Sequence, residues 1–122
     1  MVDVEAELVS HLAAVEGVTA TGVDVPHNVE ELLPFVAVRL LPGEEFSRTW
    51  QGATGHLLQA TDIDLFTADL GGVEVARRIR SSLSGLRVRG MVPHNCPPLS
   101  RRPDWNPRIR VTGAEFEFII RA

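Results

Sequence analysis

The sequence predicts an α+β fold of two layers, with two helices packed on one face of a mostly antiparallel, four- or five-stranded sheet. Two segments carry apolar residues at helical spacing, and several others alternate apolar with polar residues as strands do. Most of these strands follow one another without an intervening helix, so hairpins are expected to connect them. The whole chain, residues 1–122, is predicted to be a single domain.

The first predicted helix spans residues 3–15. Asp3 is a suitable N-cap, because its carboxylate can accept a hydrogen bond from an unpaired backbone N–H of the first turn. Gly17 is expected to end the helix. The apolar stripe that should face the sheet consists of Val4, Leu8, Leu12 and Val15.

Three strands are predicted before the second helix, at residues 18–25, 34–41 and 57–68. The segment 43–56 is polar, contains glycine and lacks periodicity, which predicts a long loop or a protruding hairpin. In the third strand, alternation divides the side chains between two faces. Thr61, Ile63 and Leu65 share one face, and Asp62 and Asp64 share the other.

The second predicted helix spans residues 70–83 and is followed by a glycine stop signal at Gly85. Its apolar stripe is assigned to Val73, Ala76, Ile79 and Leu83. Residues 86–91 are a further strand candidate.

The segment 94–107 contains four of the eight prolines and is therefore expected to be extended and irregular. The last strand is predicted at 108–121. Its apolar face consists of Ala114, Phe116, Phe118 and Ile120.

Composition restricts the function classes. The formal charge is -4, which argues against a general nucleic-acid binder, because neutralising phosphates requires a basic surface. All 12 basic residues are arginine. The single cysteine, Cys96, allows no intramolecular disulfide, and no apolar run approaches the roughly 20 residues that cross a membrane. The start of the chain does not resemble a secretory signal, so we expect the protein to be made in the cytoplasm.

Candidates for chemistry are few. His94 and Cys96 are two residues apart and could be a nucleophile with its base or part of a zinc site, but no further ligands have suitable spacing. Asp62 and Asp64 form a carboxylate pair, which any half-exposed strand can show as well. Gly71 and Gly72 precede a helix without a phosphate-binding motif. We predict no catalytic residue, no cofactor and no metal, and we expect that the protein is not an enzyme.

Arginine and tryptophan, in contrast, cluster as they do in protein interfaces. Two predicted loops each carry one tryptophan with charges of both signs, and the second helix carries three arginines. A tryptophan in a loop exposes a large apolar area unless a partner covers it. The residues that we predict to contact other subunits or partners are Glu44, Glu45, Arg48, Trp50, Arg77, Arg80, Arg101, Arg102, Trp105 and Arg108.

The layout of nearly the whole chain resembles a known family. Its segments are, in order, DVEAELVSHLAAVEGV, VDVP, PFVAV, DIDLFTADL, EVARRIRSSLSGL and RIRVTGAEFEFII. This order is similar to that of the tail terminator, or tail-completion, proteins of long-tailed bacteriophages and prophages. The residues that carry the resemblance are Pro34, Phe35, Val36, Asp62, Asp64, Ala76 and Arg77.

The resemblance implies a structural virion protein of the neck, assembled in the cytoplasm of the bacterial host. Such a protein forms a homo-hexameric ring that caps the tail tube protein and joins it to the head–tail connector protein. DNA passes through the lumen without specific binding, and no membrane is involved. Two alternatives stay open: another neck or head-completion adaptor, and a small enzyme or ligand-binding α+β domain.

Overall fold

A computed structural model describes residues 2–42, 44–48, 54–68, 72–103 and 106–121. The α+β prediction is confirmed: two helices accompany a mostly antiparallel sheet. The elements are α1 (Val4–Ala13), β1 (Ala20–Gly22), a 3-10 helix (Val29–Leu32), β2 (Phe35–Leu40), β3 (Glu44–Arg48), β4 (Thr54–Thr67), α2 (Gly72–Ser84), β5 (Met91–Asn95), β6 (Ser100–Arg102) and β7 (Arg110–Arg121).

The seven strands of the described residues occupy five lateral positions in the order β1-β2-β4-β7-β5. The long strands β4 and β7 pair with each other from His56 to Thr67 and form the centre of the sheet. On its other edge, β4 pairs with β2 along one stretch and with β3 along another. On its other edge, β7 likewise pairs with β5 along one stretch and with β6 along another. Among the described strands, all pairings are antiparallel except the parallel pair of β1 and β2.

Proline residues account for the two interruptions in the strands that flank β4 and β7. Pro42 separates β2 from β3, and Pro97 and Pro98 separate β5 from β6. Because proline has no backbone N–H, it cannot donate to the neighbouring strand and ends regular pairing.

Several predicted boundaries differ from the structure. The strand predicted at 18–25 is reduced to β1, and the segment 86–91 forms only an isolated bridge between Val88 and Met91 before β5 begins. The segment 94–107, predicted to be irregular, contains the end of β5 and all of β6. Within the segment 43–56, β3 pairs antiparallel with the start of β4, and residues 43 and 49–53 lie outside the described residues. A strand as short as β6 is defined by its pairing with β7 and not by a periodic pattern of its own.

Both helices pack on one face of the sheet. Asp3 caps α1 as predicted, accepting a hydrogen bond from the Ala6 N–H at 3.1 Å. The helix ends at Ala13, and Gly17 follows in a turn with a φ of 96°. The predicted stripes of α1, β4 and β7 are confirmed: their side chains are buried in one cluster with β2 and α2.

The predicted stripe of α2 was partly wrong. Val73 is 58% exposed, whereas Val75 is buried together with Ile79 and Leu83. The buried set repeats every four residues, so α2 is rotated relative to the prediction, and Ala76 lies at the edge of the core. This rotation brings Val73 to the surface beside the arginines of the same helix.

The opposite face of the sheet holds a second, smaller core that the sequence did not predict. Phe35 and Phe66 pack on neighbouring strands with their ring centroids 6.1 Å apart. The 3-10 helix contributes Val29, and the approach to β7 contributes Ile109. The arginine and aspartate residues described below also lie on this face, beside Gly113 and Glu115 of β7.

Candidate interface: an arginine-lined groove and an arginine–aspartate clamp

Three of the predicted interface arginines meet around a single groove of about 420 Å³. Arg77 and Arg80 come from α2 and Arg101 comes from β6, and a fourth arginine, Arg110, comes from the start of β7. The groove lies on the helical side of the sheet, at the end where β4 finishes. The other residues that line it are Thr67, Gly72, Val73, Ala76, Pro98, Leu99 and Thr112.

The wall formed by α2 is held close to the sheet by a glycine. A Cβ atom at Gly72 would lie 2.7 Å from the methyl carbon of Thr67, so a side chain at this position would push the helix away from β4. On the helix, Arg77 and Arg80 are three positions apart and therefore lie on the same face. Arg80 Nε donates a hydrogen bond of 2.8 Å to the Cys96 carbonyl, which ties the helix to the segment that leads into β6.

The described residues that line the groove include four arginines. None of the described residues that line it carries a carboxylate. The ion pair of Arg77 with Glu74 is long, at 4.0 Å, and both side chains are largely exposed, so it neutralises little of the charge. The first described turn of α2 begins at the groove, and a helix start adds positive potential. A guanidinium can bind a carboxylate or a phosphate through two parallel hydrogen bonds.

Arg110 was missed by the sequence analysis, although a signal for it was present. Its position in β7 has the same parity as Thr112 and Ala114, so alternation places it on the helical face of the sheet. An arginine at the end of an otherwise buried row indicates a charged rim at that end of the sheet.

Arg102 serves a different structure, which we call the clamp: Arg102, Asp62 and Asp64. Its Nη1 donates to Asp64 Oδ1 at 2.9 Å, and its Nη2 donates to Asp62 Oδ1 at 3.0 Å. To reach β4 from β6, the side chain passes over β7 at Gly113. A Cβ at Gly113 would collide with Asp64 Oδ1 and would lie 3.0 Å from Arg102 Nε.

Burial is the main cause of the pKa shift at Asp64. Desolvation raises the pKa of Asp64 above its ordinary value, Asp62 adds to this by repulsion, and the positive charge of Arg102 opposes it. The hydrogen bond to Asp62 is the main cause that raises the pKa of Arg102, so the guanidinium stays charged. Each of the two carboxylates is therefore engaged by the same cation, an arrangement that fixes β6 to the sheet.

The surroundings of Cys96 do not favour a nucleophile. Burial raises the pKa of the Cys96 thiol, with the Ser84 hydrogen bond and the Arg80 charge opposing, and a raised pKa disfavours the reactive thiolate. The side chain packs at the edge of the helical core, while His94 is exposed on β5. In the part of the chain that the structure describes, no group of three or more potential metal ligands comes together.

The remaining interface candidates lie elsewhere. Arg108 is highly exposed and lies 3.9 Å from Glu30 at the 3-10 helix, so it does not join the groove. Glu44, Glu45 and Arg48 lie in β3, at the opposite end of β4 from the groove. Trp50 and Trp105 lie outside the described residues. The described contacts of Arg102 are within its own chain. Its contact with a partner therefore stays a prediction.

In comparisons with known proteins, the chain matches no protein-family model and no curated protein sequence. Among the described residues, neither helix is long and apolar enough to cross a membrane.

Proposed function

We propose that this protein is a tail terminator of a long-tailed bacteriophage or prophage. It forms a hexameric ring that caps the tail tube protein and connects it to the head–tail connector protein, with DNA passing through the lumen. In this role the protein performs no reaction; its activity is the contact between copies and with the neighbouring rings.

The observation that carries the proposal is the convergence of Arg77, Arg80 and Arg101 around one groove. These residues were chosen from the sequence as partner contacts; Arg77 and Arg80 share α2, whereas Arg101 comes from β6, 21 positions after Arg80. Arginine is enriched in protein interfaces because its planar guanidinium combines apolar packing with directed hydrogen bonds. The groove has an apolar wall of Val73, Pro98 and Leu99 beside this charge, which is the composition of an interface.

The residues considered for catalysis also support a structural function. Asp62 and Asp64 are both engaged by Arg102, and the thiol of Cys96 is disfavoured as a thiolate. A paired-carboxylate or cysteine mechanism would require these groups to be available to a substrate. Their contacts within the chain therefore support a structural function over the enzyme alternative.

The test is the native mass of the purified protein over a concentration series, followed by electron microscopy with and without tail tube protein. We expect a mass that approaches six subunits, or rings on the ends of tubes when tube protein is present. A protein that remains a monomer under both conditions contradicts the proposal. Rings that bind the connector but do not stop tube growth indicate the adaptor alternative instead.

A further inference from the structure

The two arginines of β6 lie on opposite faces of the sheet. Arg101 pairs with Thr112 and Arg102 pairs with Val111, and residues paired across neighbouring strands share a face. Thr112 lines the groove on the helical side, whereas Val111 belongs to the smaller core on the other side. Two consecutive, chemically identical side chains therefore have different surroundings, Arg101 in the wall of the groove and Arg102 in the clamp.

The wall of the groove that contains Arg101 also contains Pro98 and Leu99. The pairing of β6 with β7 begins only at Ser100 and covers three residue pairs. Pro98, like Pro97 before it, has no backbone N–H to donate. Leu99 packs against the edge of the helical core. The position of this wall therefore depends largely on the contacts at its two ends.

Both ends of the wall are tied by arginine side chains. At the start, Arg80 Nε of α2 donates a hydrogen bond of 2.8 Å to the Cys96 carbonyl. At the end, Arg102 donates to Asp62 and Asp64 of β4 at 3.0 and 2.9 Å. These three side chains are 31%, 25% and 23% exposed, so water screens their attraction less than that of a fully exposed ion pair. The clamp therefore anchors the end of the wall to the central strand β4.

Alternation carries the effect of the clamp through the sheet. Because successive side chains of a strand lie on opposite faces, holding Arg102 on one face holds Arg101 on the other. Arg101 has an interaction within its own chain as well, so the clamp supplies the position of the wall rather than an unpaired charge. Building on the proposed function, in which the groove is an interface, we infer that the clamp positions the groove for its partner. Asp62, Asp64 and Arg102 are positioning residues: they act on the interface from the opposite face of the sheet and do not touch the partner.

The test breaks the clamp from either strand. One variant carries Arg102→Met, which keeps a long side chain and removes the guanidinium. A second carries Asp62→Asn and Asp64→Asn, which remove both negative charges at nearly constant size. We expect each variant to raise the protein concentration needed for half-maximal assembly on the order of tenfold, because charge-assisted hydrogen bonds are lost. The three substitutions combined should raise it no further, because the residues act through one network.

A local measurement separates positioning from a general loss of stability. Hydrogen exchange is followed on the dilute, unassembled subunit of each variant. We expect faster exchange of the backbone amides of β6 and of residues 111–113 of β7, which pair with it. Helix α1 and the pairing of β2 with β4 should keep the exchange rates of the unmodified protein. If Arg102→Met unfolds the subunit, Asp62→Asn alone replaces it, since this change leaves the bond to Asp64.

Two controls make comparable changes outside the clamp. Arg89→Met alters an exposed arginine that does not line the groove. Glu115→Gln removes an exposed carboxylate on the same face as the clamp, from the residue of β7 directly opposite Asp62. Both should leave assembly unchanged. Arg77→Met, inside the groove, should weaken assembly without changing exchange in β6, because α2 carries this residue.

The outcomes distinguish this inference from the proposed function. If the unmodified protein forms rings and both clamp variants form them equally well, the inference is wrong and the ring stands. Losses that add in the combined variant, a loss in Arg102→Met alone, or an equal loss in Glu115→Gln would mean that the partner contacts this face directly, which also overturns the inference. Faster exchange throughout the subunit would mean general destabilisation and would overturn it as well. An unmodified protein that never assembles, alone or with tail tube protein, overturns both.

Discussion

At the scale of single residues, Gly113 makes the clamp possible. It lies in the middle of β7, directly opposite Asp64 on β4, where a strand would ordinarily carry a side chain. The missing side chain leaves the path along which Arg102 reaches both aspartates. The conformation of Gly113 is not the reason, since its φ is not positive; the reason is space.

We expect Gly113→Ala to lower the free energy of unfolding by about 1–3 kcal/mol, as overpacking in a filled site does. The new Cβ would lie 2.7 Å from the Ile63 carbonyl oxygen, which is backbone and cannot rotate away. Chemical denaturation measures the change. The matched control is Gly85→Ala, whose Cβ would be 3.4 Å from its nearest neighbour and which should be neutral or stabilising by about 0.4–1 kcal/mol. Equal effects at the two glycines would contradict the account of the clamp.

The raised pKa of Asp64 predicts a pH dependence. The folded protein holds this proton more tightly than the unfolded chain, so ionisation opposes folding as the pH rises from about 3.8 through the pKa of the folded state. Asp64→Asn removes the titration. We therefore expect the free energy of unfolding of the unmodified protein, relative to Asp64→Asn, to fall across this window and then remain constant. A rise with pH would mean that the attraction of Arg102 outweighs desolvation.

At the scale of elements, α2 illustrates how packing selects between two apolar stripes. Its sequence offers a stripe through Val73 and Ala76 and another through Val75, both continuing to Ile79 and Leu83. The helix buries the stripe with Val75, which repeats every four residues and faces α1 and the sheet. The exposed Val73 then becomes part of the groove wall, so the rotation of the helix sets the chemistry of the groove.

Two valine substitutions test this rotation. Val75 is 8% exposed and Val73 is 58% exposed, and the two residues are chemically identical. We expect Val75→Ala to cost about 1.5–3 kcal/mol of unfolding free energy, because it removes buried methyl groups. Val73→Ala should change it by less than about 0.5 kcal/mol. Thermal or chemical unfolding gives both values. A larger loss of unfolding free energy for Val73→Ala than for Val75→Ala would support the buried stripe predicted from the sequence.

At the scale of the whole molecule, charge is distributed unevenly in a chain of net charge -4. Four arginines surround the groove at one end of β4, and two glutamates lie in β3 at the other. Charge pairs formed between copies at exposed surfaces would weaken as salt is added.

The two tryptophans carry a prediction for assembly. Trp50 and Trp105 lie outside the described residues, so the prediction rests on the sequence and on the enrichment of tryptophan in interface hot spots. We expect Trp50→Ala and Trp105→Ala to reduce ring formation strongly while the melting temperature of the isolated subunit changes little. Native mass and thermal unfolding are measured on the same samples. Equal losses of stability and assembly would identify both as core residues.

Much of the fold follows from the sequence alone, because it depends on contacts between near neighbours in the chain. The alternation in β4 and β7 defined their buried faces, and the spacing of Leu8 and Leu12 with the Asp3 cap defined α1. The choice of Arg77, Arg80 and Arg101 as interface candidates came from composition, since arginine clustered with tryptophan is typical of interface hot spots.

Tertiary structure alone decided what these residues do together. Arg102 meets Asp62 and Asp64 across 40 and 38 positions of sequence, and the contact exists because Gly113 leaves space in the strand between them. The pairing of β6 with β7 brings Arg101 toward α2, and the rotation of α2 turns Arg77 to the same groove. Local patterns specify which face a side chain occupies, whereas register between distant strands specifies its neighbours.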